Sequence, residues 1–404
     1  MTPRRPLAGR PARVATLLAL LAAAVGALAV TPRDARAARG LEIALQDDAV
    51  FVQGRYIDGD DAYRYARALG VTRLRVNAAW ANAMPRSQAR ARREPDQIQW
   101  MFQALDAVVD AAAKYGIRVH LSATGPAPAW ASGGRKISGQ RPKASEFGAY
   151  TKALATHFQG RVDRYSIWNE PNWGTWLGPL KAAPRLYRNL YQRGYAAIKE
   201  ADPEAKVLIG ETSPYARPGL STAPIAFLRS AACVNERWKR VRRCPMLKAD
   251  GYAHHPYDFL HAPSYRYPGA DNATMGTLRN LTRALDRLSR LRRLRFNGGG
   301  RMPVYLTEFA YFAAGDRMLP PRQRSRYLAQ AFDLALRHGR VKSQLHYLLV
   351  SPPRKAPGAF FNTGLMARSG VKYPQYRALR RWYNRNRGRV TRPGAAIALP
   401  PARN

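Results

Sequence analysis

Eight short apolar runs, separated by stretches of helical periodicity, restrict what this chain can fold into more than any other feature. The runs fall at residues 41–45, 71–76, 117–121, 162–168, 206–209, 251–254, 304–307 and 344–349. Between them, apolar residues recur at helical spacing over residues 97–115, 145–158, 184–200, 277–294 and 322–337. Strand-like runs alternating with amphipathic helices indicate an α/β fold with a parallel sheet and crossover helices. Eight strands is the number that closes a single (β/α)8 TIM barrel. The 404 residues suit such a barrel with long loops, since its usual core is about 250 residues. No internal repeat or appended carbohydrate-binding module is evident.

Barrel enzymes build their sites at the C-terminal ends of the strands. The fourth run ends in Asn169-Glu170-Pro171. Pro171 cannot donate to a strand ladder and biases Glu170 toward extended backbone, so the strand stops there and presents Asn169 and Glu170 at its rim. Trp168, Trp173 and Trp176 flank this point and offer flat apolar faces for sugar rings. A second acid, Glu308, ends the seventh run. Two strand-end carboxyl groups about 5 Å apart, one protonated and one ionised, are what retaining glycoside hydrolysis requires.

Other chemistry-bearing residues fall at the same ends: Arg75 and Trp80 on the second strand, His120 and Trp130 on the third, Glu211 on the fifth, His255 and Tyr257 on the sixth. Arg75 is a charge inside an otherwise apolar strand, which is costly unless paired, and a nucleophilic carboxylate is its natural partner. Glu211 competes for a catalytic role, though a substrate hydroxyl contact or a structural salt bridge suits it better. His120 fits either the core or the site. His254 and His255 are adjacent on a strand and face opposite ways, so they do not ligate one ion; one lines the site and the other packs inside. No metal and no organic cofactor is expected. The Gly298-Gly299-Gly300 run precedes a strand rather than a helix, which excludes a phosphate loop.

These motifs resemble glycoside hydrolase clan A, the retaining barrel enzymes that include many cellulases, mannanases and β-xylosidases. The likeness rests on Asn169-Glu170-Pro171 and on Leu306-Thr307-Glu308, with Arg75, His255, Tyr257 and a terminal stretch from Gly364 to Tyr376 in the expected order. It implies that Glu170 is the acid/base and Glu308 the nucleophile, that Asn169 bonds the sugar 2-hydroxyl, and that Arg75 and Tyr257 hold Glu308 ionised. His255, Trp80, Trp130, Trp173, Glu211 and His120 are the further substrate-side candidates. Many relatives carry a Trp at the end of the eighth strand. Here residues 344–350 offer only His346 and Tyr347, which leaves the sugar preference open.

The N-terminus carries Arg4, Arg5, Arg10 and Arg13, then an apolar run over residues 14–30, then Ala35-Arg36-Ala37. That is the order of a secretory signal peptide over residues 1–37, and the run falls short of the ~20 apolar residues of a membrane span. A hydrolase domain then fills residues 38–388, and an Arg- and Pro-rich tail, expected to be loosely ordered, fills residues 389–404. In an exported chain the only two cysteines, Cys233 and Cys244, are expected to pair.

Formal charge is +41, and without the six arginines and one aspartate of residues 1–37 it is still +36. Such a field draws anionic polymers, acidic polysaccharide included, although arginines spread over the whole sequence also fit codon bias. The densest cluster, residues 237–243, lies between the cysteines; Arg90, Arg92, Arg93, Arg135 and Lys136 fall in strand-to-helix loops. No nucleic-acid-binding module is present. The sequence therefore reads as a secreted or envelope-associated monomeric retaining glycosidase acting on a carbohydrate, which an acidic one would suit. The alternative is a catalytically silent barrel that binds anionic envelope glycans by charge.

Overall fold

The structure, a computed structural model, describes residues 40–91, 98–134, 136–241, 243–354 and 361–403. The expected leader, Arg92, Arg93 and Arg135 lie outside the described residues. Eight parallel strands close into a barrel: β1 (Glu42–Gln46), β2 (Val71–Ala79), β3 (Arg118–Thr124), β4 (Arg164–Ile167), β5 (Lys206–Thr212), β6 (Gly251–His254), β7 (Val304–Leu306) and β8 (Val341–Tyr347). Closure comes from β1 pairing β8 in register, Glu42 opposite Ser343 through Gln46 opposite Tyr347, while its other edge pairs β2. A crossover helix follows each strand: α1 (Gly59–Ala68), α2 (Gln103–Lys114), α3 (Ala144–His157), α4 (Ala183–Ala201), α5 (Pro224–Ala231), α6 (Leu278–Arg290), α7 (Pro321–Arg337) and α8 (Pro374–Asn386), with short extra helices at Asp48–Phe51 and Arg86–Arg90.

Strand alternation sorts the side chains into two environments. Ile43, Leu45, Leu74, Val76, Val119, Leu121, Ile167, Val207 and Ile209 belong to the large core cluster shared with the helices, whereas Leu208, Ala253 and Tyr305 form a separate cluster. The alternate positions of β2 are Arg73 and Arg75, both buried. Arg73 reaches Asp163 at 2.6 Å and Glu42 at 3.2 Å, and Arg164 reaches Glu42 at 2.6 Å, which pairs the charges at the N-terminal end of the barrel. Arg75 sits two residues further along and points into the opposite, catalytic end.

Three features depart from the sequence reading. A small parallel pair, Leu247–Ala249 with Leu294–Phe296, lies outside the barrel sheet. Helices α1, α5 and α8 were not among the expected elements. The tail is tied down rather than loose: Thr391 N donates to Leu41 O (3.1 Å), Ile397 N to Ala113 O (2.9 Å), and Val390 is buried. These carbonyls lie where helices feed into strands, so the tail crosses the N-terminal end of the barrel.

Cys233 and Cys244 form a disulfide that closes an eleven-residue separation between α5 and β6. By loop entropy, replacing both with Ala should lower the unfolding free energy by roughly 3 kcal/mol. Denaturant titration of the double variant checks this.

Candidate active site

The ends of β4 and β5 are held together by backbone. Glu170 N donates to Glu211 O (2.9 Å), and Trp173 N returns to Glu170 O (2.8 Å). Asn172 bridges the same two loops, accepting from Ser213 N at 2.8 Å and donating to Thr222 O at 2.7 Å. These bonds impose a left-handed backbone on Glu170 (φ 39°) and Glu211 (φ 51°). Glu170 is therefore not extended, as Pro171 alone would suggest; the two-strand turn overrides that local bias. Non-glycine residues in this region carry strain, here at a site candidate and its neighbour.

Arg75 organises the charges. Its guanidinium donates to Glu308 Oε1 (2.9 Å), to Asn169 Oδ1 (2.8 Å) and to both oxygens of Glu211 (3.3 and 3.2 Å), and it also contacts Gln46. Glu211 has no exposed surface and further accepts from Ser166 (2.5 Å) and Thr307 (2.8 Å). Burial alone would raise its pKa, but Arg75 and His255 hold it well below the usual carboxylate range. His255 lies between the acids, with Nε2 2.7 Å from Glu211 Oε2 and Nδ1 3.0 Å from Glu170 Oε1. Its burial opposes charge, yet Glu308, Glu170 and Glu211 together raise it to about 9, so it is an imidazolium at neutral pH.

Glu308 is gripped on both oxygens, by Arg75 on Oε1 and by the Tyr257 hydroxyl on Oε2 (3.1 Å). Arg75 and Tyr257 are expected from sequence to depress its pKa. The net direction is upward instead, because burial outweighs the attraction of His255 and Arg75, and the nearby Glu170 and Glu211 charges add to the rise. Glu170, half-buried, uses Oε1 for His255 and leaves Oε2 without a partner among the described residues. A carboxylate oxygen of Glu170, one of Glu308 and a ring nitrogen of His255 all lie within 4.8 Å of one another. Such a trio could in geometry hold a metal ion. The Arg75 guanidinium on Glu308 and the protonated state of His255 make it a poor cation site.

The other sequence candidates divide. Trp80 and Trp168 are fully buried, Trp80 stacked on Tyr150 at 6.0 Å, so they are core and not sugar platforms. Glu211 and His120 are also buried and face protein groups rather than open solvent; burial keeps His120 well below its ordinary pKa and therefore neutral. Trp130 is half-buried, its ring nitrogen bonded to Gln88 O. Trp173 is half-buried under the Arg217 guanidinium (5.4 Å), and Trp176 is exposed. His254 turns away from the acids to Thr212 (2.9 Å) and Ala273 O (2.6 Å). Sequence reasoning missed Ser166 and Thr307, which hold Glu211. It also missed Asp48, which accepts from Gln46 (3.1 Å) and Asn77 (2.8 Å). The signal for Asp48 was present, since Asp47-Asp48 follows the first apolar run after a single residue, Gln46.

His255 yields a pH prediction. Its folded pKa, about 9, lies above the ordinary 6.5, so its contribution to stability is full below about pH 6.5 and is lost as pH rises through about 9. The melting temperature of the wild type should therefore fall toward that of His255→Gln between those values. Parallel melting curves across the range would contradict the charged state.

Comparison with known proteins matches residues 39–331 to the cellulase family model, glycosyl hydrolase family 5. Among solved structures, a family 39 glycoside hydrolase from Bacteroides cellulosilyticus WH2 superposes with TM-score 0.63 at 20% identity, over 87% of this chain and 65% of that one. This chain thus spans slightly under two thirds of that protein's length. A GH5_18 protein from Streptomyces cattleya, in complex with GlcNAc, gives TM-score 0.58 at 17% identity over 88% of this chain and 82% of that one. An exo-β-1,4-mannosidase from Opitutaceae bacterium strain TAV5 gives 0.57 at 16% identity over 88% and 61%. No curated protein matches the sequence. These neighbours share the barrel fold, and the family model covers most of the chain, which belongs to the cellulase family, glycosyl hydrolase family 5.

Proposed function

We propose that this chain is an exported retaining β-glycosidase in which Glu308 is the nucleophile and Glu170 the acid/base. The observation that carries the reading is that one carboxylate oxygen of Glu170 comes within 4.8 Å of one of Glu308, which fits the close pair of retaining enzymes, about 5–5.5 Å apart, rather than the wider pair of inverting ones that leave room for a water. The two glutamates differ in setting. Glu308 is buried and gripped on both oxygens, which suits attack along one line; Glu170 is more open and keeps one oxygen free to meet a leaving group.

In the first step Glu308 bonds to the anomeric carbon as Glu170 gives its proton to the departing oxygen. The glycosyl ester removes the negative charge of Glu308, the largest favourable influence on the His255 cation. His255 then keeps Glu170 and Glu211 as its acidic partners, and Glu170, having given up its proton, is left as the anion. In the second step that anion takes a proton from water as the water attacks the ester. Arg75 and Tyr257 orient Glu308 throughout. Trp173 and Trp176, which follow Glu170 in the same loop, are the aromatic faces this reading assigns to the leaving-group sugars.

Export is supported by the character of residues 1–37 and by the disulfide. No helix among the described residues is long and apolar enough to cross a membrane. One hydrolase domain over residues 38–388 with its docked tail accounts for the rest. Acidic substrate and monomeric state belong to the same proposal.

On aryl β-glycosides, Glu170→Gln should lower kcat by roughly 10²–10⁴-fold with partial rescue by azide, and Glu308→Gln should lose turnover without rescue. No turnover by the wild type on any glycoside, together with glycan binding, would support the silent-barrel alternative. The pH profile tests the electrostatics. Activity needs ionised Glu308, whose pKa is raised, so the acid limb of kcat/KM should lie above pH 4.5 and move higher in Arg75→Gln.

A further inference from the structure

The outer wall of the barrel carries a groove of about 990 Å³ that runs from the catalytic rim to the disulfide loop. Its upper end is lined by Arg141, Pro179 and Lys181, in the loops that lead from β3 and β4 into their helices, and Lys181 follows Glu170 in one continuous loop. Arg185 and Arg188 of α4 line its middle, and Arg243 beside the disulfide lines its lower end. Glu236 is the one acid in the lining. Arg141, Lys181, Arg185 and Arg243 are exposed and make no ion pair among the described residues. Arg229, also in the lining, is neutralised by Asp271 at 2.5 Å.

Solvated surface arginines are unremarkable in so basic a chain; the buried ones are not. Arg188 is buried and bonded only to the carbonyls of Ala231 (2.9 Å) and Pro245. Arg293 is buried beside it, bonded to the carbonyls of Ala232 and Cys244 (both 2.9 Å), with one guanidinium nitrogen left without a partner. Neither has an acidic counter-ion among the described residues. Burial, and then the Arg293 charge, push Arg188 down to about 10; burial, and then Arg240, lower Arg293. A buried cation without a counter-ion is costly, and an anion in the adjoining groove would offset that cost.

We propose that this groove between α4 and α5 is a second carbohydrate site, which binds an acidic stretch of polysaccharide by its carboxylates. Guanidinium forks match carboxylates in bidentate geometry, and a volume of this size in an open groove suits a chain rather than a single sugar. The choice of a glycan over another polyanion rests on the hydrolase reading, because the groove starts in the loop that carries Glu170, so one linear chain can occupy both places. A second basic groove, between α7 and α8 and lined by Arg322, Arg326, Arg377, Arg381 and Arg385, serves as the control: these lining cations are all exposed, and the buried Arg324 of α7, which also lacks an acid among the described residues, is not part of the lining as Arg188 is in the first groove.

The experiment measures binding of polygalacturonate to the full chain near physiological salt, beside a neutral hydroxyethylcellulose and a polyphosphate. Arg185→Glu with Arg243→Glu should weaken polygalacturonate binding roughly tenfold or more, and Arg381→Glu with Arg385→Glu by less than about twofold. The matching Gln pair at 185 and 243 repeats the test should charge reversal disturb folding. Equal losses in the two grooves would reduce the site to diffuse net charge and overturn the proposal. So would equal binding of the neutral polymer, or tight binding of polyphosphate with none of polygalacturonate. Hydrolysis of a small aryl glycoside should be unchanged in both pairs, so failure of this site and failure of the hydrolase reading are read separately.

Discussion

One guanidinium, that of Arg75, holds the catalytic end of the barrel together. It reaches Glu308, Glu211 and Asn169, groups from three other strands that converge only when the barrel closes. Glu211 supplies the anion that lets both Arg75 and His255 be cations in a water-poor place, and its own charge is fixed by them. Two cations and three carboxyl groups therefore form one unit. Adding or removing a single charge, as glycosylation of Glu308 does, is felt at every other member.

Such clusters add little net stability, because desolvation offsets much of the attraction, but they tolerate one arrangement only. The barrel has two of them. Glu42, Arg73, Arg164 and Asp163 fill the N-terminal end, with the Arg164 guanidinium over the Tyr305 ring at 4.4 Å. Leu208, Ala253 and Tyr305 form a small apolar cluster of their own on β5, β6 and β7. The alternation of Arg73 and Arg75 on β2 thus feeds two distinct charge layers from a single strand, and both layers oppose a slip in register.

The barrel strands were legible because their outward residues are consistently apolar, as in Leu74-Val76 and Val207-Ile209, and a run of that kind needs no tertiary context to recognise. Helix α8 was not read, although Tyr376, Leu379, Trp382 and Tyr383 have helical spacing; the arginines between them mask the stripe. In the site, Glu170, Glu308 and Arg75 announce themselves as acids or a base where apolar strands end or where burial demands a partner. The fate of Trp80, Trp168 and His120 was not legible, whereas a structural salt bridge, one of the two roles read for Glu211, is what it makes with Arg75. Whether a residue at a strand end faces the cleft or the layer beneath it depends on barrel closure and on the turn at Glu170, neither of which a local pattern encodes. For the same reason the upward shift of Glu308 escaped, since it follows from burial and from the Glu170 and Glu211 charges rather than from its immediate bonds.

The mechanism turns on which carboxylate bonds to sugar. The most direct measurement is to incubate the enzyme with a 2-deoxy-2-fluoro β-glycoside that bears a good leaving group, and to map the adduct by peptide mass spectrometry. A slowly hydrolysed glycosyl ester on Glu308 is the result predicted. Labelling of Glu170 or Glu211 instead, or turnover of the natural bond with inverted anomeric configuration, would contradict the assignment.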